Sequence, residues 1–574
     1  METTDRHGEL TKEGFFERED VVDFIIHYSE FVQSELNQRP YVVPGKEITG
    51  NYAVIYLPEN RIDESLTEIG ANVISLYPII MGLLGEAELA SAGILPVQQQ
   101  PYLDLRGRGV LVGIVDTGID YTNEVFRHED GTSRVKYIWD QTISASPPPE
   151  YHYGSEYTQA QINEALRSDT PFSIVPERDT VGHGTFLASV AAGGGNSENT
   201  KGAAPDSELI VVKLRKAKPY HLNRYLVPEW QQNAFSSSDV ILGVEYILER
   251  AASLRMPVAI CLGIGSNFGG HDGYNIFEEY LAQASNRTGV AICNAAGNEA
   301  IARHHMQGKV ASMEAPQNVE VLAVDNAGAI SVQLWNTAAD RLSVSVTSPT
   351  GEMLNTMPAK SGTKLESSFV LEKSRVSIEY FFPLPGSGGQ LSWIKIFDPT
   401  PGIWTISVHG DSILEGTFHA WLPMTGFVAP GVEFLTPSPN TTITVPATSF
   451  GLITVGAYST QTKGLYANSS WGPTRQPALS PDFVAPGVDA GGMYPTGPGA
   501  MTGTSVAAAV TAGACALMLQ WGIVERNEIS LNSYLIRAYL IRGCERDPGI
   551  AFPNDQWGYG RLNLMNTFIQ LRGG

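Results

Sequence analysis

Continuous apolar runs recur through the middle of the chain, and each is followed by a polar residue or a glycine. Five of them cover residues 109–116, 209–214, 258–263, 289–294 and 451–457. Runs of this kind are typical of parallel strands that are buried on both faces. Segments with helical spacing lie between or after them, at residues 236–250, 274–286 and 530–542 and directly after Ser505. The alternation predicts an α/β fold with a doubly wound parallel sheet.

Two other regions follow different patterns. Between residues 321 and 445, short alternating runs such as 342–346, 376–381 and 404–408 are separated by proline and glycine turns. This pattern predicts an inserted β-sandwich of jelly-roll-like form. Residues 46–97 contain a strand at 53–57, a polar helix candidate at 59–70 and an apolar segment at 73–77, which predict a small α+β module. The first 45 residues show one helical pattern, at 21–36.

The length of 574 residues is too great for one simple core. We therefore predict five segments. They are an N-terminal extension (1–45), the small module (46–97), a first α/β part (98–320), the inserted β region (321–445) and a second α/β part (446–574).

Composition narrows the possible partners. Sixty acidic and 38 basic residues leave a formal net charge of −22, which argues against binding nucleic acid or an anionic membrane. The longest apolar run, near residues 72–84, is too short to span a bilayer. The four cysteines lack metal-type spacing, so we expect free thiols in a reducing compartment and no structural zinc.

Three polar residues lie where chemistry is usually found in such a sheet. Ser505 follows a small-residue turn and begins an alanine-rich helical pattern, Asp116 ends a buried strand, and His183 stands in a Gly-His-Gly-Thr loop before an apolar helix. Taken singly, they could be an N-cap, a turn aspartate and a core or solvated histidine. Taken together, they supply an acid, a base and a nucleophile in the order used by one class of peptide hydrolases.

Asn298 is the fourth candidate. It follows the strand at 289–294 within an Ala-Ala-Gly-Asn turn. Its amide could donate to a developing oxyanion beside the backbone N–H of Ser505. A purely structural turn is the alternative interpretation.

Five blocks of sequence resemble the signature blocks of subtilisin-like serine proteases, the peptidase S8 family. They are Val-Asp-Thr-Gly-Ile-Asp (115–120), Gly-His-Gly-Thr (182–185), Ala-Ala-Gly-Asn-Glu (295–299), Phe-Val-Ala-Pro-Gly (483–487) and Gly-Thr-Ser (503–505). The resemblance covers residues 101–320 and 446–570. It implies a catalytic triad and oxyanion donor at the positions named above. It also implies backbone walls of the S1 cleft, which pair with an extended polypeptide substrate, at Leu262, Gly263, Ala295, Ala296 and Gly297.

Two departures from the family pattern and two further features point to a subgroup. Residues 506–510 read Val-Ala-Ala-Ala-Val where the family usually has Met-Ala-Ser-Pro-His, and Cys261 stands where a serine is usual before Leu262. With the inserted β region and the Gln-Pro-Tyr-Leu-Asp-Leu-Arg-Gly block (100–107), they resemble the clostridial germination proteases called Csp. Members of that subgroup activate a cortex-lytic zymogen in spores, and some have lost catalytic residues and act as sensors. We expect an active enzyme whose S1 shape and helix packing differ from the family pattern.

The small module at 46–97 occupies the place of a subtilase prodomain, which in that family assists folding and is then cut off. We expect cleavage by Ser505 in the linker, among Val97, Gln98, Gln99 and Gln100, with the new end remaining in the cleft as an inhibitor. The inserted β region would clamp the prodomain to the enzyme or bind a partner. No cofactor is expected. Many subtilases bind calcium in a loop after the histidine helix, but residues 193–200 match that loop poorly.

The residues bear on three candidate functions. The first is a self-processing serine endopeptidase that activates another bacterial protein by limited proteolysis. The second is a catalytically silent sensor or binding protein of the same fold. A lipase or esterase is disfavoured because Ser505 lacks a Gly-x-Ser-x-Gly setting and the triad order is reversed. The first residues lack a secretory signal, so we expect a cytoplasmic or spore-associated bacterial protein.

Overall fold

The structure is a computed structural model that describes residues 14–37, 39, 41–49, 51–62, 77–84, 92–100, 103–194, 201–476 and 478–572. Its strands are β1 (Val21–His27), β2 (Val43–Ile48), β3 (Tyr52–Pro58), β4 (Ile80–Leu83), β5 (Leu111–Asp116), β6 (Val135–Asp140), β7 (Ser155–Thr158), β8 (Glu208–Lys213), β9 (Phe235–Ser236), β10 (Val258–Leu262), β11 (Ile264–Gly265), β12 (Val290–Ala295), β13 (His305–Lys309), β14 (Gln317–Ala323), β15 (Ile330–Asn336), β16 (Arg341–Thr347), β17 (Met353–Leu354), β18 (Lys364–Ser368), β19 (Arg375–Phe381), β20 (Gln390–Phe397), β21 (Gly402–Ser412), β22 (Thr417–Trp421), β23 (Glu433–Phe434), β24 (Ile453–Tyr458), β25 (Phe483–Pro486), β26 (Ala490–Tyr494) and β27 (Gly497–Met501).

The α-helices are α1 (Glu30–Asn37), α2 (Ile94–Gln99), α3 (Gln159–Leu166), α4 (His183–Ala192), α5 (Pro219–Tyr225), α6 (Ser237–Leu254), α7 (Ile276–Ser285), α8 (Thr504–Leu519), α9 (Ser533–Gly543) and α10 (Leu564–Arg572). Short 3-10 turns occur at Phe15–Glu17, Glu59–Arg61, Glu124–Phe126 and Pro171–Ser173, and a π turn, Gln520–Val524, continues α8.

An eight-stranded sheet forms the centre of the molecule. Its order is β25-β24-β12-β10-β5-β8-β6-β7, and every neighbouring pair is parallel except β6 with β7. Its central strands, β5, β10 and β12, are buried along their whole length, as the apolar runs predict. Helices α4 and α8 pack on each other and on the sheet, as do α6 and α7. The expected mixed α/β fold with a parallel sheet is therefore present.

The most apolar helix lies inside this core. Among the described residues, one helical stretch, Thr504–Val524, is long and apolar enough to cross a membrane, and 89% of its most apolar window is buried within the protein. All residues of α8 are buried, since it packs against β10, β12 and β24. Its apolar character is explained by packing against the sheet.

The region between the two α/β parts contains two antiparallel sheets. One has the order β13-β22-β15-β20-β19-β18 and the other β17-β16-β21-β14-β23. Their inner side chains form one hydrophobic cluster, separate from the core of the large sheet. Strands β13 and β14 begin before residue 321, so the two sheets draw on a longer stretch of chain than the predicted segment 321–445.

A three-stranded antiparallel sheet, β1-β3-β2, forms the N-terminal module. The helix predicted at 21–36 is wrong for its first half. Residues 21–27 form β1, because a run of β-branched and aromatic side chains packs well in a buried strand, and α1 begins only at Glu30. The predicted extension and small module thus share one sheet. Most of the helix candidate at 59–70 and of the apolar segment at 73–77 lies outside the described residues.

Candidate active site

The three predicted catalytic residues lie at the ends of different elements. Asp116 is the last residue of β5, His183 the first of α4, and Ser505 lies in the first turn of α8. Strand ends and helix starts meet at one edge of a parallel α/β sheet, which is where such folds place their functional groups. A Cβ on Gly184 would lie 2.3 Å from the carbonyl oxygen of Gly118, so glycine allows the two loops to approach this closely.

The structure brings the three side chains into hydrogen-bond contact. His183 Nδ1 lies 2.8 Å from Asp116 Oδ1, and His183 Nε2 lies 3.2 Å from Ser505 Oγ. Because a carboxylate only accepts, Nδ1–H donates to Asp116, and Nε2 is left to accept the Ser505 hydroxyl proton. All three residues are buried. This is the geometry of a nucleophile, its general base and an orienting carboxylate.

Electrostatics favour the charged form of the base. Burial lowers the pKa of His183, but the charge and hydrogen bond of the Asp116 carboxylate more than offset this, so the pKa lies above its ordinary value of 6.5. Asp116 Oδ1 also accepts the backbone N–H of Thr117 at 2.8 Å, which holds the carboxylate in place. The imidazolium that forms when the serine loses its proton is thereby stabilised.

Asp179 orders the loops that carry the triad, although no role is predicted for it from the sequence. Its Oδ1 accepts from the Thr117 hydroxyl at 2.9 Å and from Gly182 N at 2.7 Å. Its Oδ2 accepts from Thr185 N at 2.9 Å. One buried carboxylate therefore ties the turn after β5 to the first turn of α4. The local signal is an acidic residue four positions before His183, where it can cap an apolar helix.

Asn298, the predicted oxyanion donor, is held beside Ser505 through its contacts with Thr504. Its Oδ1 accepts from Thr504 N at 3.2 Å and from the Thr504 hydroxyl at 3.1 Å. This pairing directs the amide NH₂ group away from Thr504. The backbone N–H of Ser505, which the sequence predicts as the other donor, donates to the carbonyl oxygen of Leu84 at 2.9 Å. A peptide carbonyl thus already lies where an oxyanion would form.

Leu84 directly follows β4, which lies as an extended strand in a cleft of the large domain. On one side it pairs antiparallel with β11, with Leu83 opposite Ile264 and Gly82 opposite Gly265. On the other side it pairs antiparallel with β9, with Ile80 opposite Ser236. Backbone pairing on both edges is how a polypeptide adds to exposed strands.

The cleft wall follows the predicted residues only in part. Gly263 O accepts from Leu84 N at 3.1 Å, as a wall residue should. A Cβ on Gly263 would lie 3.1 Å from His183 Cε1 and 3.2 Å from Ser505 Cβ, so glycine keeps this approach open. Leu262, in contrast, belongs to β10 and pairs with Asn294 inside the main sheet. Ile264 and Gly265, which pair with β4, are not among the predicted wall residues, because the apolar run 258–263 ends at Gly263.

The side chain of Leu84 is enclosed next to Ser505 and is 1% exposed. A Cβ on Gly265 would lie 2.8 Å from Leu84 Cδ1 and 2.6 Å from Thr444 Oγ1. Thr444 also lies against Gly297, and its N–H donates to Ala296 O at 2.9 Å. Ala295 ends β12 just before this turn. The predicted segment 295–297 is therefore joined to the Leu84 pocket through Thr444, a residue that the sequence pattern does not single out.

Comparison with known proteins identifies the family. The model of the subtilase family, Peptidase_S8, matches residues 107–360 and 433–560, more than half of the chain. The chain belongs to the subtilase family. The resemblance to subtilisin-like serine proteases is thus confirmed.

Two similar proteins refine this subtilase assignment. The solved structure of the CspB protease of Clostridium perfringens is 32% identical, with a TM-score of 0.74, and the match covers 84% of this chain and 98% of that one. This likeness supports the resemblance to the Csp subgroup. The subtilisin-like protease SBT1.9 of Arabidopsis thaliana is 26% identical over 203 residues. That match spans 34% of this chain and about a quarter, 26%, of the plant protein's length.

The linker predicted to be cleaved lies elsewhere in this subtilase. Val97, Gln98 and Gln99 belong to helix α2, and Gln100 follows it. Val97 and Gln98 are buried, and Gln98 Nε2 donates to the carbonyl oxygens of Gly202 and Ala203 at 3.1 and 2.7 Å. The structure does not bring these four residues to Ser505, and the cleft holds residues 80–84 instead.

The part of the chain that the structure describes contains no cluster of three or more histidine, cysteine or acidic side chains able to hold a metal. Residues 195–200 of the loop considered for calcium lie outside the described residues. The four cysteines are buried and form no disulfide.

Proposed function

We propose that this subtilase is a serine endopeptidase made as a zymogen, and that it cleaves its own chain after Leu84. The observation that carries the proposal is the hydrogen bond of 2.9 Å from Ser505 N–H to the Leu84 carbonyl. This contact joins the enzyme's own backbone donor to a peptide that pairs on both edges with the cleft. Cleavage at this position replaces the expected cleavage at residues 97–100.

The reaction follows from the contacts of the site. His183 Nε2 accepts the Ser505 hydroxyl proton as Oγ attacks the carbonyl carbon of Leu84. The Ser505 N–H and the Asn298 amide stabilise the tetrahedral oxyanion, while Asp116 stabilises the imidazolium. The imidazolium then protonates the leaving amine of residue 85, and an acyl-enzyme remains on Ser505. A water molecule, deprotonated by His183, hydrolyses this ester and releases the carboxylate of Leu84.

The N-terminal module is held well enough to remain as an inhibitor after cleavage. Asp23 of β1 is buried against the large domain, where it accepts from Ser236 Oγ at 3.2 Å and from the Ser238 hydroxyl. His221 Nε2 lies 3.3 Å from Asp23 Oδ1. Burial raises the pKa of Asp23, but the electrostatic and hydrogen-bond contributions of His221, Arg215 and Ser238 together outweigh this and hold the pKa below its ordinary value. These contacts support a prodomain that keeps residues 80–84 in the cleft as a bound product.

Contacts of the inserted β region support its role as a clamp that holds the N-terminal module on the large domain. The Arg224 guanidinium lies 3.9 Å from the ring centroid of Tyr77 and 5.1 Å from that of Trp393. Tyr77 precedes β4, Arg224 belongs to α5 of the large domain, and Trp393 lies in β20 of the inserted region. Cations over aromatic faces are stabilised by the ring quadrupole. One side chain therefore joins the three parts of the chain, which fits a role in rigidity.

The similarity to the CspB protease supports a proposal about the biological role of this enzyme. We infer that the enzyme activates another bacterial protein by limited proteolysis, in the manner of spore germination, and acts as a cytoplasmic or spore-associated protein. No cofactor takes part in the proposed reaction.

Mass spectrometry of the purified full-length chain tests the proposal. The wild type should yield two chains, residues 1–84 and 85–574, whereas Ser505→Ala should stay intact, because loss of the nucleophile lowers turnover by about 10⁶-fold. Ser530→Ala, an exposed serine outside the cleft, is the matched control and should be processed like the wild type. An intact wild-type chain would contradict the proposal and favour a silent sensor of the same fold.

A further inference from the structure

We propose that Phe427 restricts the third residue before the cleaved bond to glycine. The proposal rests on the proposed cleavage after Leu84, since that bond makes Gly82 the third residue. It concerns a loop at residues 422–427, which we call the strap, that follows β22 of the inserted region and crosses β4.

The strap is attached to both sides of the cleft. Thr425 N donates to Glu299 Oε1 at 3.0 Å, and Glu299 directly follows the oxyanion residue Asn298. Gln231 Nε2, from the loop before β9, donates to Gly426 O at 3.0 Å. Within the strap, Phe427 N donates to Met424 O at 2.8 Å and closes a turn. The strap is therefore held by one wall at the oxyanion loop and by the other near β9.

Glu299 is itself firmly held. Its Oε2 accepts from His304 Nδ1 at 2.8 Å and from Asn267 Nδ2 at 3.1 Å, and the side chain is 2% exposed. Buried carboxylates with several donors resist displacement, because each lost hydrogen bond leaves an unsatisfied charge. Movement of the strap away from β4 would break this arrangement next to the oxyanion hole.

The ring of Phe427 fills the space above Gly82. A Cβ on Gly82 would lie 3.0 Å from Phe427 Cζ and 2.4 Å from Phe427 Cε2, and the second distance is closer than carbon atoms approach in proteins. Phe427 is 2% exposed and Met424 is 3% exposed, so the ring has little room to withdraw. A methyl group added at position 82 would therefore overpack the space that the Phe427 ring already fills, which is energetically unfavourable.

Backbone strain is not the reason for glycine at this position. Gly82 lies in the regular strand β4, opposite Gly265, and its φ is outside the left-handed region that favours glycine. An alanine could adopt the same backbone. The side chain of the neighbouring Leu83 is half-buried, and that of Leu84 fills its own pocket. The ring of Phe427 therefore restricts the residue type at position 82, and at no other position of residues 82–84.

The test uses the full-length chain, synthesised in a cell-free system and quenched at intervals, with mass spectrometry of the cleaved fraction. We expect Gly82→Ala to slow cleavage after Leu84 by about 5- to 150-fold, the rate equivalent of overpacking by one methyl group. In the Phe427→Ala background, Gly82→Ala should cost nothing further. Gly549→Ala, where a Cβ meets nothing within 4 Å, is the matched control and should leave the rate unchanged.

Two results would overturn the inference. One is cleavage of Gly82→Ala at the wild-type rate, and the other is an equal slowing by Gly82→Ala in both backgrounds. Phe427→Leu, with thermal melting of every variant, covers the case in which Phe427→Ala does not fold, and it should relieve the slowing in part. A wild-type chain that is never cut after Leu84 would instead refute the proposed cleavage, so the two failures are distinguishable.

Discussion

Two short segments follow one another before the catalytic sheet, and they behave in opposite ways. Residues 80–84 are apolar, extended and paired on both edges in the cleft, with the Leu84 carbonyl on Ser505 N–H. Residues 94–99 carry glutamines and a proline, yet they form helix α2 and bury Val97 and Gln98 against the large domain. Residues 94–99, whose composition suggests exposure, are packed against the large domain. Residues 80–84, whose composition suggests a core position, lie next to Ser505.

The difference shows what qualifies a segment for this cleft. A protease of this kind pairs with its substrate as a strand, so the substrate must offer free backbone N–H and C=O groups in an extended form. A helix uses those groups internally. Helix α2 is also tied down, since Leu564 N donates to Ala92 O at 3.1 Å just before it. Backbone availability therefore decides between the segments, whereas small or polar composition does not.

The largest effect should come from a charge placed in the Leu84 pocket. Leu84→Asp buries a carboxylate beside Ser505, and an unpaired buried charge costs several kcal/mol, so self-cleavage should fall by about 10³-fold or more. Gln99→Asp, on the exposed face of α2, should be cleaved like the wild type. Timed mass spectrometry measures both. Slow cleavage of Gln99→Asp together with normal cleavage of Leu84→Asp would place the cleavage site in helix α2 and contradict the proposed difference between the two segments.

Removal of the oxyanion donor should have the next largest effect. Asn298→Ala should slow cleavage after Leu84 by about 10²- to 10³-fold, because one of two donors to the tetrahedral intermediate is lost. Asn318→Ala, an exposed asparagine of the inserted region, is the control. Normal cleavage in Asn298→Ala would show that the carbonyl of residue 84 does not react in the observed position.

The pH dependence of self-cleavage should sharpen the assignment of the base. His183 must be neutral to accept the serine proton, and its pKa is raised above 6.5. The rate should therefore fall as the pH drops through that raised pKa, by about tenfold per pH unit below it. In Asp116→Asn the carboxylate charge is gone, so the midpoint should move to lower pH while the maximal rate drops. An unchanged midpoint would show that Asp116 does not set the pKa of His183.

The smallest effect concerns the helical segment. Gln98→Ala removes hydrogen bonds to the carbonyls of Gly202 and Ala203 and should lower the free energy of unfolding by about 1–3 kcal/mol. Self-cleavage after Leu84 should be unaffected, because the hydrogen bonds of Gln98 go to the carbonyls of Gly202 and Ala203 and not to Ser505 or residues 80–84. Chemical denaturation of the Ser505→Ala chain with and without Gln98→Ala measures the stability, with Gln99→Ala as control. Timed mass spectrometry of Gln98→Ala in the chain that retains Ser505 measures the position and rate of cleavage. A change in the cleavage position would contradict the separation of the two segments.

The sequence by itself determined the residues whose roles are local. Asp116 ends a buried strand, His183 and Ser505 begin helices, and Asn298 follows a strand, and each position is legible from the hydrophobic pattern and the adjacent glycines. Since parallel strands end at one edge of a sheet, the meeting of these side chains followed from the fold class. All four positions lie within the residues matched by the subtilase family model.

Only the tertiary structure decided which other residues line the cleft next to these four side chains. Ile264 and Gly265 became wall residues by pairing with β4, and Thr444 and Phe427 reached the cleft from 179 and 162 positions further along the chain than Gly265. Val21–His27 became a strand through its pairing with β3. Pairing partners of strands are set by three-dimensional packing, and no periodicity within a segment records them. The location of the peptide that we propose is cleaved therefore depends on contacts that are distant in sequence.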